Sequence, residues 1–182
     1  NIDSLFYGDD SSTGTIENCI AYDSDGTGFE LRGPADNSWY AYNCTSVDNT
    51  DVGFESMYKN LNVINCIAFG NGTDDYGATM GDDSEYNGYV TGDPGTNGTD
   101  LSSDAGTDLF VDDANDEFST KNGGSLQDAG IGPGSNANVP SADIAGDERS
   151  GATCDLGADE YVAAGGVTLT VAEGSLSDSL DI

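Results

Sequence analysis

The segments that decide the fold are Glu17-Asn18-Cys19-Ile20-Ala21-Tyr22, Tyr42-Asn43-Cys44-Thr45-Ser46-Val47 and Ile64-Asn65-Cys66-Ile67-Ala68-Phe69. They align without gaps, and the shared Asn-Cys pair recurs after 25 and then 22 residues. A Gly-Phe pair keeps the same spacing at Gly28-Phe29 and Gly53-Phe54. A fixed period of this length indicates stacked units, because one such unit cannot bury a core alone.

Each unit holds short runs of strand-forming residues between Gly, Asn and Asp turns, which predicts one coil of an all-β solenoid per unit. Successive coils would lie about 4.8 Å apart, with equivalent residues directly above one another. Cys19, Cys44 and Cys66 would then form an inward ladder of small side chains. Asn43 would point outward, because neighbouring side chains along a strand alternate. Leucine-rich repeats share the period, but they need more Leu than this chain has.

The cysteines leave two interpretations open. Neighbouring coils place their Cα atoms within the range of a disulfide. A stack of buried thiols fits the same positions without distorting the ladder. Cys154 lies beyond the repeats, where it is either free or tied to a neighbouring loop.

The chain is strongly acidic. Its 182 residues carry 34 Asp and Glu against 4 Lys and Arg and no His, a formal net charge of −30. Such a surface repels nucleic acid and anionic membranes, and no segment approaches the ~20 apolar residues of a membrane span. Salt or bound cations would screen the self-repulsion, which favours a secreted, extracellular or cell-surface location. Because Asn1 opens the chain without Met or a signal-peptide pattern, we expect processing from a longer protein.

Three sequons agree with export. Asn43, Asn71 and Asn97 each begin an Asn-x-Thr triplet, which is the acceptor for N-glycosylation. The sequence therefore predicts a glycoprotein modified at one or more of these residues.

The pattern changes from Gly106 to Tyr161. Its marks are Asp108-Leu109-Phe110-Val111-Asp112, Gly124-Ser125-Leu126-Gln127-Asp128-Ala129-Gly130, Asp143-Ile144-Ala145-Gly146-Asp147-Glu148-Arg149 and Asp155-Leu156-Gly157-Ala158-Asp159-Glu160-Tyr161. This stretch resembles the C-terminal closing region of pectate-lyase-like right-handed parallel β-helix domains in secreted and surface prokaryotic proteins. The family usually has Ser-Pro where this chain reads Ser125-Leu126. The resemblance implies a fold and transfers no activity.

These patterns predict three parts of the chain. Residues 1–105 would form the coils of a right-handed parallel β-helix, residues 106–164 its closing region, and residues 165–182 a terminal strand or the start of the next module. Val167, Leu169 and Val171 alternate with Thr, as in a half-exposed strand. We expect these three side chains to mediate self-association, because a lone strand can pair with the open end of another copy.

One group of residues bears on whether the chain is an enzyme. Asn49-Thr50-Asp51 and Asp74-Asp75 resemble motifs of polygalacturonases with this fold, but that family also needs a His and a basic motif that this chain lacks. Arg32 and Lys59 would pair with nearby carboxylates instead of serving as a lyase base. A hydrolase of neutral glycans needs only two carboxylates, and the sequence singles out no such pair. We therefore predict that the chain is not an enzyme.

Calcium is the cofactor that the sequence suggests. Asp23-Ser24-Asp25-Gly26 resembles the start of a calcium loop, although Pro34 stands where the bidentate Glu belongs. The candidate ligands are Asp23, Asp25, Asp82, Asp83, Asp112 and Asp113, for which solvated turns are the alternative.

The sequence thus favours a structural or adhesive extracellular surface protein, with a second copy in head-to-tail contact or surface glycans as partners. A filament built through the C-terminal strand is one form of this role. The alternative is a carbohydrate-active or carbohydrate-binding module with its groove near Trp39 and Asp51. The aromatic run at 39–42 would supply its sugar platform, unless these rings pack in the core.

Overall fold

The computed structural model describes residues 4–8, 13–31, 38–56, 61–149 and 151–161. These residues form an all-β chain, as predicted, with short strands and almost no helix. The strands are β1 Ser4–Gly8, β2 Gly14–Glu17, β3 Ile20–Tyr22, β4 Thr27–Leu31, β5 Trp39–Tyr42, β6 Thr45–Val47, β7 Val52–Ser56, β8 Leu61–Ile64, β9 Ile67–Phe69, β10 Asp74–Thr79, β11 Gly88–Tyr89, β12 Gly92–Asp93, β13 Thr99–Asp100, β14 Phe110–Asp112, β15 Glu117–Thr120, β16 Gly130–Ile131 and β17 Thr153–Cys154. A single α-helical turn, α1, spans Gly106–Leu109, and a 3-10 turn spans Asp113–Asn115. Neither of these described helices has the length or the apolar character to cross a membrane.

Three parallel sheets carry the described residues from 4 to 100, and along β1 to β10 each sheet takes every third strand. Sheet A has the order β1-β4-β7-β10-β12, sheet B the order β2-β5-β8, and sheet C the order β3-β6-β9-β11-β13. Isolated parallel bridges from Ile64 to Glu85 and from Glu85 to Thr96 extend sheet B in the same direction. The chain therefore runs A, B, C five times, and we call each such passage a unit, numbered 1 to 5.

The turn from sheet B to sheet C explains the recurring Asn. Two residues, Asn and Cys, form it in each of units 1 to 3, and its Asn, at Asn18, Asn43 and Asn65, has φ of 51°, 52° and 56°. Asn adopts this left-handed conformation more readily than most residues, so the repeated Asn is a backbone requirement. Tyr86 and Asn97 take the same conformation in units 4 and 5.

The cysteines that follow these corners lie in one core cluster. Cys44 and Cys66 are fully buried and Cys19 is half-buried beside them. The backbone N–H of Cys44 donates to Cys66 Sγ at 3.4 Å, so the side chains of successive units touch. All four cysteines, including Cys154, are free thiols.

The Gly-Phe repeat corresponds to an aromatic stack along sheet A. Phe29 pairs in register with Phe54, and Phe54 with Tyr76. Their ring centroids are 4.7 and 5.4 Å apart, with nearly parallel planes. The neighbouring Gly53 is required by close packing, because a Cβ there would lie 2.6 Å from the carbonyl oxygen of Asp75.

Residues 101–161, which follow the units, pack along their side. Two antiparallel pairs, β14 with β15 and β16 with β17, replace the parallel pattern. A second core cluster joins this region to sheet C, where it meets Val47 and Ile67. Its members from the closing region are Leu101, Leu109, Phe110, Phe118, Leu126 and Leu156.

Candidate functional site

A groove of about 860 Å³ lies on the face of sheet B that points away from the core. In β5, Ala41 is fully buried in the core cluster, so Tyr40 and Tyr42 project from the opposite face. Ile64 of β8 completes the floor of the groove. The turn at 82–83 forms one wall, and residues 136–138 of the closing region line the groove as well.

One side chain from each unit follows the floor of the groove. Glu17 pairs in register with Tyr42, Tyr42 with Ile64, and bridges carry the row on to Glu85 and Thr96. Adjacent parallel strands are about 4.8 Å apart, so the Cα atoms of Glu17 and Glu85 are separated by roughly 14 Å, three strand spacings. The groove therefore runs across the strands, along the direction in which the units stack.

The two tyrosines of the floor differ in their partners. Their rings stack with centroids 5.9 Å apart and planes 8° apart. The Tyr40 hydroxyl donates a hydrogen bond of 3.0 Å to Asp83 Oδ2. Tyr42 is only 6% exposed, and its hydroxyl has no hydrogen-bond partner within the described ranges although it lines the groove. The Tyr42 oxygen also keeps some contact with solvent, so it is free to bind a ligand.

The electrostatics of the groove are uniformly negative. Glu17, Asp82, Asp83 and Glu85 line it, and the lining contains no Lys or Arg. Burial raises the pKa of Tyr42, and neighbouring Tyr40 and the carboxylates of Asp83, Glu17 and Glu85 raise it further. The hydrogen bond to Asp83, followed by burial, raises the pKa of Tyr40. An anionic ligand would therefore be repelled, whereas a neutral or cationic one would be accepted.

A sugar groove near Trp39 and Asp51 stays a prediction, and the groove on sheet B is lined by other residues of the same aromatic run. Trp39 packs partly against the core cluster, and its Nε1 is buried without a partner in the described part of the chain. Asp51 lies on an exposed turn, where it accepts a hydrogen bond of 2.7 Å from the Thr73 hydroxyl. Neither residue lines the groove. The aromatic residues that line the groove are Tyr40 and Tyr42. Trp39, one residue before Tyr40 in β5, packs against the core cluster instead.

The polygalacturonase-like constellation has a structural use. Asp75 is 1% exposed, and its carboxylate accepts hydrogen bonds from the Asn71 amide at 2.9 Å and from the backbone N–H groups of Val90 and Thr91 at 2.8 and 3.1 Å. The Asn49 amide donates to Asn71 Oδ1 at 2.9 Å and continues this polar ladder. A carboxylate held by donors in this way orders the turns around it.

The aspartates proposed for calcium lie at three places in the sequence, of which two are turns and the third is the end of β14 with the 3-10 turn that follows it. These residues are Asp23 and Asp25, Asp82 and Asp83, and Asp112 and Asp113. Two of them converge on Asp48, whose pKa is raised first by burial and then by the carboxylates of Asp113, Asp23 and Asp116. Within the described ranges, no three or more Asp, Glu, Cys or His side chains are arranged to hold a metal ion. Calcium binding stays a prediction.

The sequons differ in accessibility. The expectation that Asn43 points outward to solvent is wrong: Asn43 is fully buried, and its amide lies 3.8 Å from Cys154 Sγ. The side chain does leave the core of the units, but the closing region covers it. The Asn71 amide is used in hydrogen bonds to Ser46 and Asp75. Asn97 is exposed, so it is the sequon that the folded chain presents to solvent.

A buried arginine that the sequence analysis did not single out attaches the closing region to the Asn turns between sheets B and C. Arg149 is 1% exposed, and its Nη1 donates to Asn18 Oδ1 at 2.8 Å. Its Nε forms an ion pair of 3.1 Å with Glu160, and Nη2 donates to the carbonyl of Gly157 at 3.0 Å. Asn65 binds the backbone of Ile131 through both its amide and its carbonyl oxygen, at 2.8 and 2.9 Å. Arg149 is the last residue of the segment 143–149 quoted in the sequence analysis. That segment was the signal by which the sequence could have pointed to this arginine.

A carboxyl pair completes this attachment. Asp143 Oδ1 accepts from the backbone N–H groups of Gly146 and Asp147, each at 2.7 Å, and Oδ2 accepts from that of Glu160 at 2.9 Å. Burial and a hydrogen bond to Asp143 raise the pKa of Asp159 to about 6. Burial also raises the pKa of Asp143, but the hydrogen bonds from Asp159 and the backbone outweigh it, and that pKa is lowered. The two side chains thus share one proton, held on Asp159.

Several predicted residues lie outside the described residues. They are the self-association residues Val167, Leu169 and Val171, with the segment 165–182 that contains them, and the basic residues Arg32 and Lys59.

Comparison with models of protein families, with curated proteins and with solved structures finds no match to this chain.

Proposed function

We propose that the chain is part of a right-handed parallel β-helix in a secreted surface protein, and that it acts as an adhesive module that holds a glycan in the groove on sheet B. The β-helix is supported by the parallel pairing of equivalent strands in successive units and by the Asn corner, with its left-handed conformation, that recurs in units 1 to 3. The glycan-binding role depends on one observation, the groove floored by Tyr40 and Tyr42.

The groove has the properties of a saccharide site. Its volume of about 860 Å³ falls in the range of known ligand pockets, about 300–1,000 Å³. Tyrosine rings offer an apolar face to the C–H groups of a sugar, while carboxylates and amides accept or donate hydrogen bonds to its hydroxyls. Asp83 and Asn138 supply such groups on the two walls. The row across units 1 to 5 favours a linear chain of sugars lying along the stacking direction.

Binding without catalysis is the proposed mode of action. The Cα atoms of Glu17 and Glu85 stand roughly 14 Å apart, three strand spacings, which favours two separate contacts to a ligand over joint action on one glycosidic bond. Asp75, the strongest candidate acid in the sequence, is engaged by backbone and amide donors.

A glycan array tests this role, with reducing-sugar release measured on every glycan that binds. We expect binding without release. Tyr40→Ala removes part of the floor and should abolish the signal. Tyr22→Ala is the matched control, because Tyr22 is 42% exposed and lies outside the groove. A chain that binds no glycan, or one that liberates reducing ends, would contradict the proposal.

Head-to-tail assembly is the second candidate role, and the first unit favours it. The inner side chains Ile16 and Cys19 are half-buried, whereas their equivalents Ala41 and Cys44 are fully buried. The outer edges of β1, β2 and β3 pair with no strand of the described residues. Such edges are templates for a further strand, and the segment beginning at Val167 is the proposed occupant.

Light scattering in native salt tests this assembly. We expect the full chain to form long particles at concentrations where a chain ending before Val167 stays monomeric. Identical behaviour of the two chains would remove the filament from consideration, and it would leave the groove unaffected.

A further inference from the structure

We infer that the groove selects glycans whose sugars carry protonated amines, that is, hexosamines without N-acetyl groups. This inference rests on the proposed glycan-binding role and specifies its ligand class. Its basis is the charge of the groove, whose lining has four carboxylates and no cationic side chain.

The charged groups of the groove are acceptors only. Glu17, Asp82, Asp83 and Glu85 line it, and ionised carboxylates have no proton to donate. With no Lys or Arg in the lining, nothing in the groove neutralises them. A sugar hydroxyl satisfies such an acceptor with one donor, whereas an ammonium group offers three donors and a positive charge.

Tyr42 provides independent support for a ligand at this place. Tyr42 is only 6% exposed, and its hydroxyl has no hydrogen-bond partner in the part of the chain that the structure describes. Its oxygen reaches the solvent of the groove, so a ligand donor can replace the water that it would otherwise bind. Carboxylates of Glu17 and Glu85 flank this oxygen along the row and favour a cation beside it.

The Tyr40 ring adds a second attraction for the same ligand. Its hydroxyl proton is committed to Asp83, so the face of the ring and the lone pairs of the oxygen are what it offers. An ammonium group is attracted to the face of an aromatic ring as well as to a carboxylate. Uronic acids are excluded, because their carboxylates would meet four charges of the same sign.

The length of the row sets the size of the ligand. A molecule that reaches both Glu17 and Glu85 must span roughly 14 Å, three strand spacings. An oligosaccharide meets this requirement, and a single sugar does not.

Titration calorimetry with two matched probes tests the inference. Glucosamine oligomers and N-acetylglucosamine oligomers of equal length share one backbone and differ in charge. At a pH where the amines are protonated, we expect the glucosamine oligomer to bind at least about tenfold more tightly at low salt. We expect this advantage to shrink as salt rises, because exposed charges are then screened.

Two variants connect the preference to the groove. Glu85→Gln removes one charge of the row and should reduce the preference several-fold. Glu148→Gln removes the same charge from an exposed position outside the groove and should leave the preference unchanged. Tyr40→Ala should weaken the binding of both oligomers.

The outcomes separate the two proposals. Equal affinity for both oligomers would overturn the amine preference and leave the glycan-binding role intact. Binding of neither oligomer, together with a blank glycan array, would overturn both. Oligolysine that binds as tightly as the glucosamine oligomer, with an affinity insensitive to Tyr40→Ala, would show a generic attraction to polycations and would also overturn the preference for a sugar.

Discussion

Replacing Arg149 with Met should weaken the attachment of the closing region to the units. The guanidinium group makes hydrogen bonds to four partners, namely Glu160 Oε2, Asn18 Oδ1 and the carbonyl oxygens of Ala142 and Gly157. Met keeps the apolar stem and removes every one of these bonds. The carboxylate of Glu160, whose side chain is 15% exposed, then loses its counter-charge.

The magnitude follows from this burial. Removing one partner of a buried ion pair costs about 3–5 kcal/mol. The partial exposure of Glu160 lets water solvate its carboxylate, so we expect about 3 kcal/mol of lost free energy of unfolding. In the double variant that adds Glu160→Gln, no uncompensated charge is left, and we expect about 1 kcal/mol of the loss to be recovered.

Urea unfolding measures these changes, with the fluorescence of Trp39, the single tryptophan, as the probe. Near-UV circular dichroism should give the same transition if unfolding is cooperative. Lys121→Met is the matched control, because it removes the same charge from an exposed side chain and should cost less than about 1 kcal/mol. An Arg149→Met variant within about 1 kcal/mol of this control would refute the role of the guanidinium.

Three further predictions concern stability. The pKa of Asp159 is raised from 3.8 to about 6, so the stabilisation from its protonated form is complete below pH 3.8 and is lost as pH rises through about 6. Asp159→Asn keeps a donor for Asp143 at every pH. Measured by urea unfolding, it should gain about 1–2 kcal/mol over the wild type between pH 4 and pH 8, after discounting for partial exposure, whereas Asp147→Asn should show no such gain. Gly157 and Gly146 share a positive φ, of 89° and 93°, but a Cβ on Gly157 would lie 2.7 Å from Thr45 Oγ1, and one on Gly146 would touch nothing. Thermal unfolding should therefore show Gly157→Ala to be less stable than Gly146→Ala by about 1–3 kcal/mol, and equal losses would contradict this packing. Chelation of calcium should lower the melting temperature in low salt, and an unchanged melting curve would exclude the calcium sites.

The period of the sequence predicted the register of the sheets. Equivalent residues of successive repeats, such as Ile20 and Thr45 or Phe29 and Phe54, do pair in the parallel sheets. This worked because like residues meet when units of nearly equal length stack. The corner itself was not predicted, because Asn43 and Cys44 were placed on one strand, whereas Asn43 has a positive φ, which Asn tolerates.

The attachment of the closing region was beyond the reach of the sequence. Asn18 and Arg149 are 131 positions apart, and no period connects them. Burial of Asn43 could not be foreseen either, because it depends on a distant loop. Within the aromatic run at 39–42, the sequence did not separate outer from inner side chains: Ala41 lies in the core, so the alternation along β5 places Tyr40 and Tyr42 outside and turns Trp39 inward.

The asparagine corner has a consequence for how this architecture can change in length. The closing region contacts Asn18 through Arg149, Asn43 through Cys154 and Asn65 through Ile131. It therefore matches the spacing of three successive units. An extra repeat inserted between Asn18 and Asn65 would shift one contact by a full strand spacing, whereas a repeat added ahead of Asn18 would leave all three intact. Duplication of repeats should therefore be tolerated before Asn18 and selected against between Asn18 and Asn65.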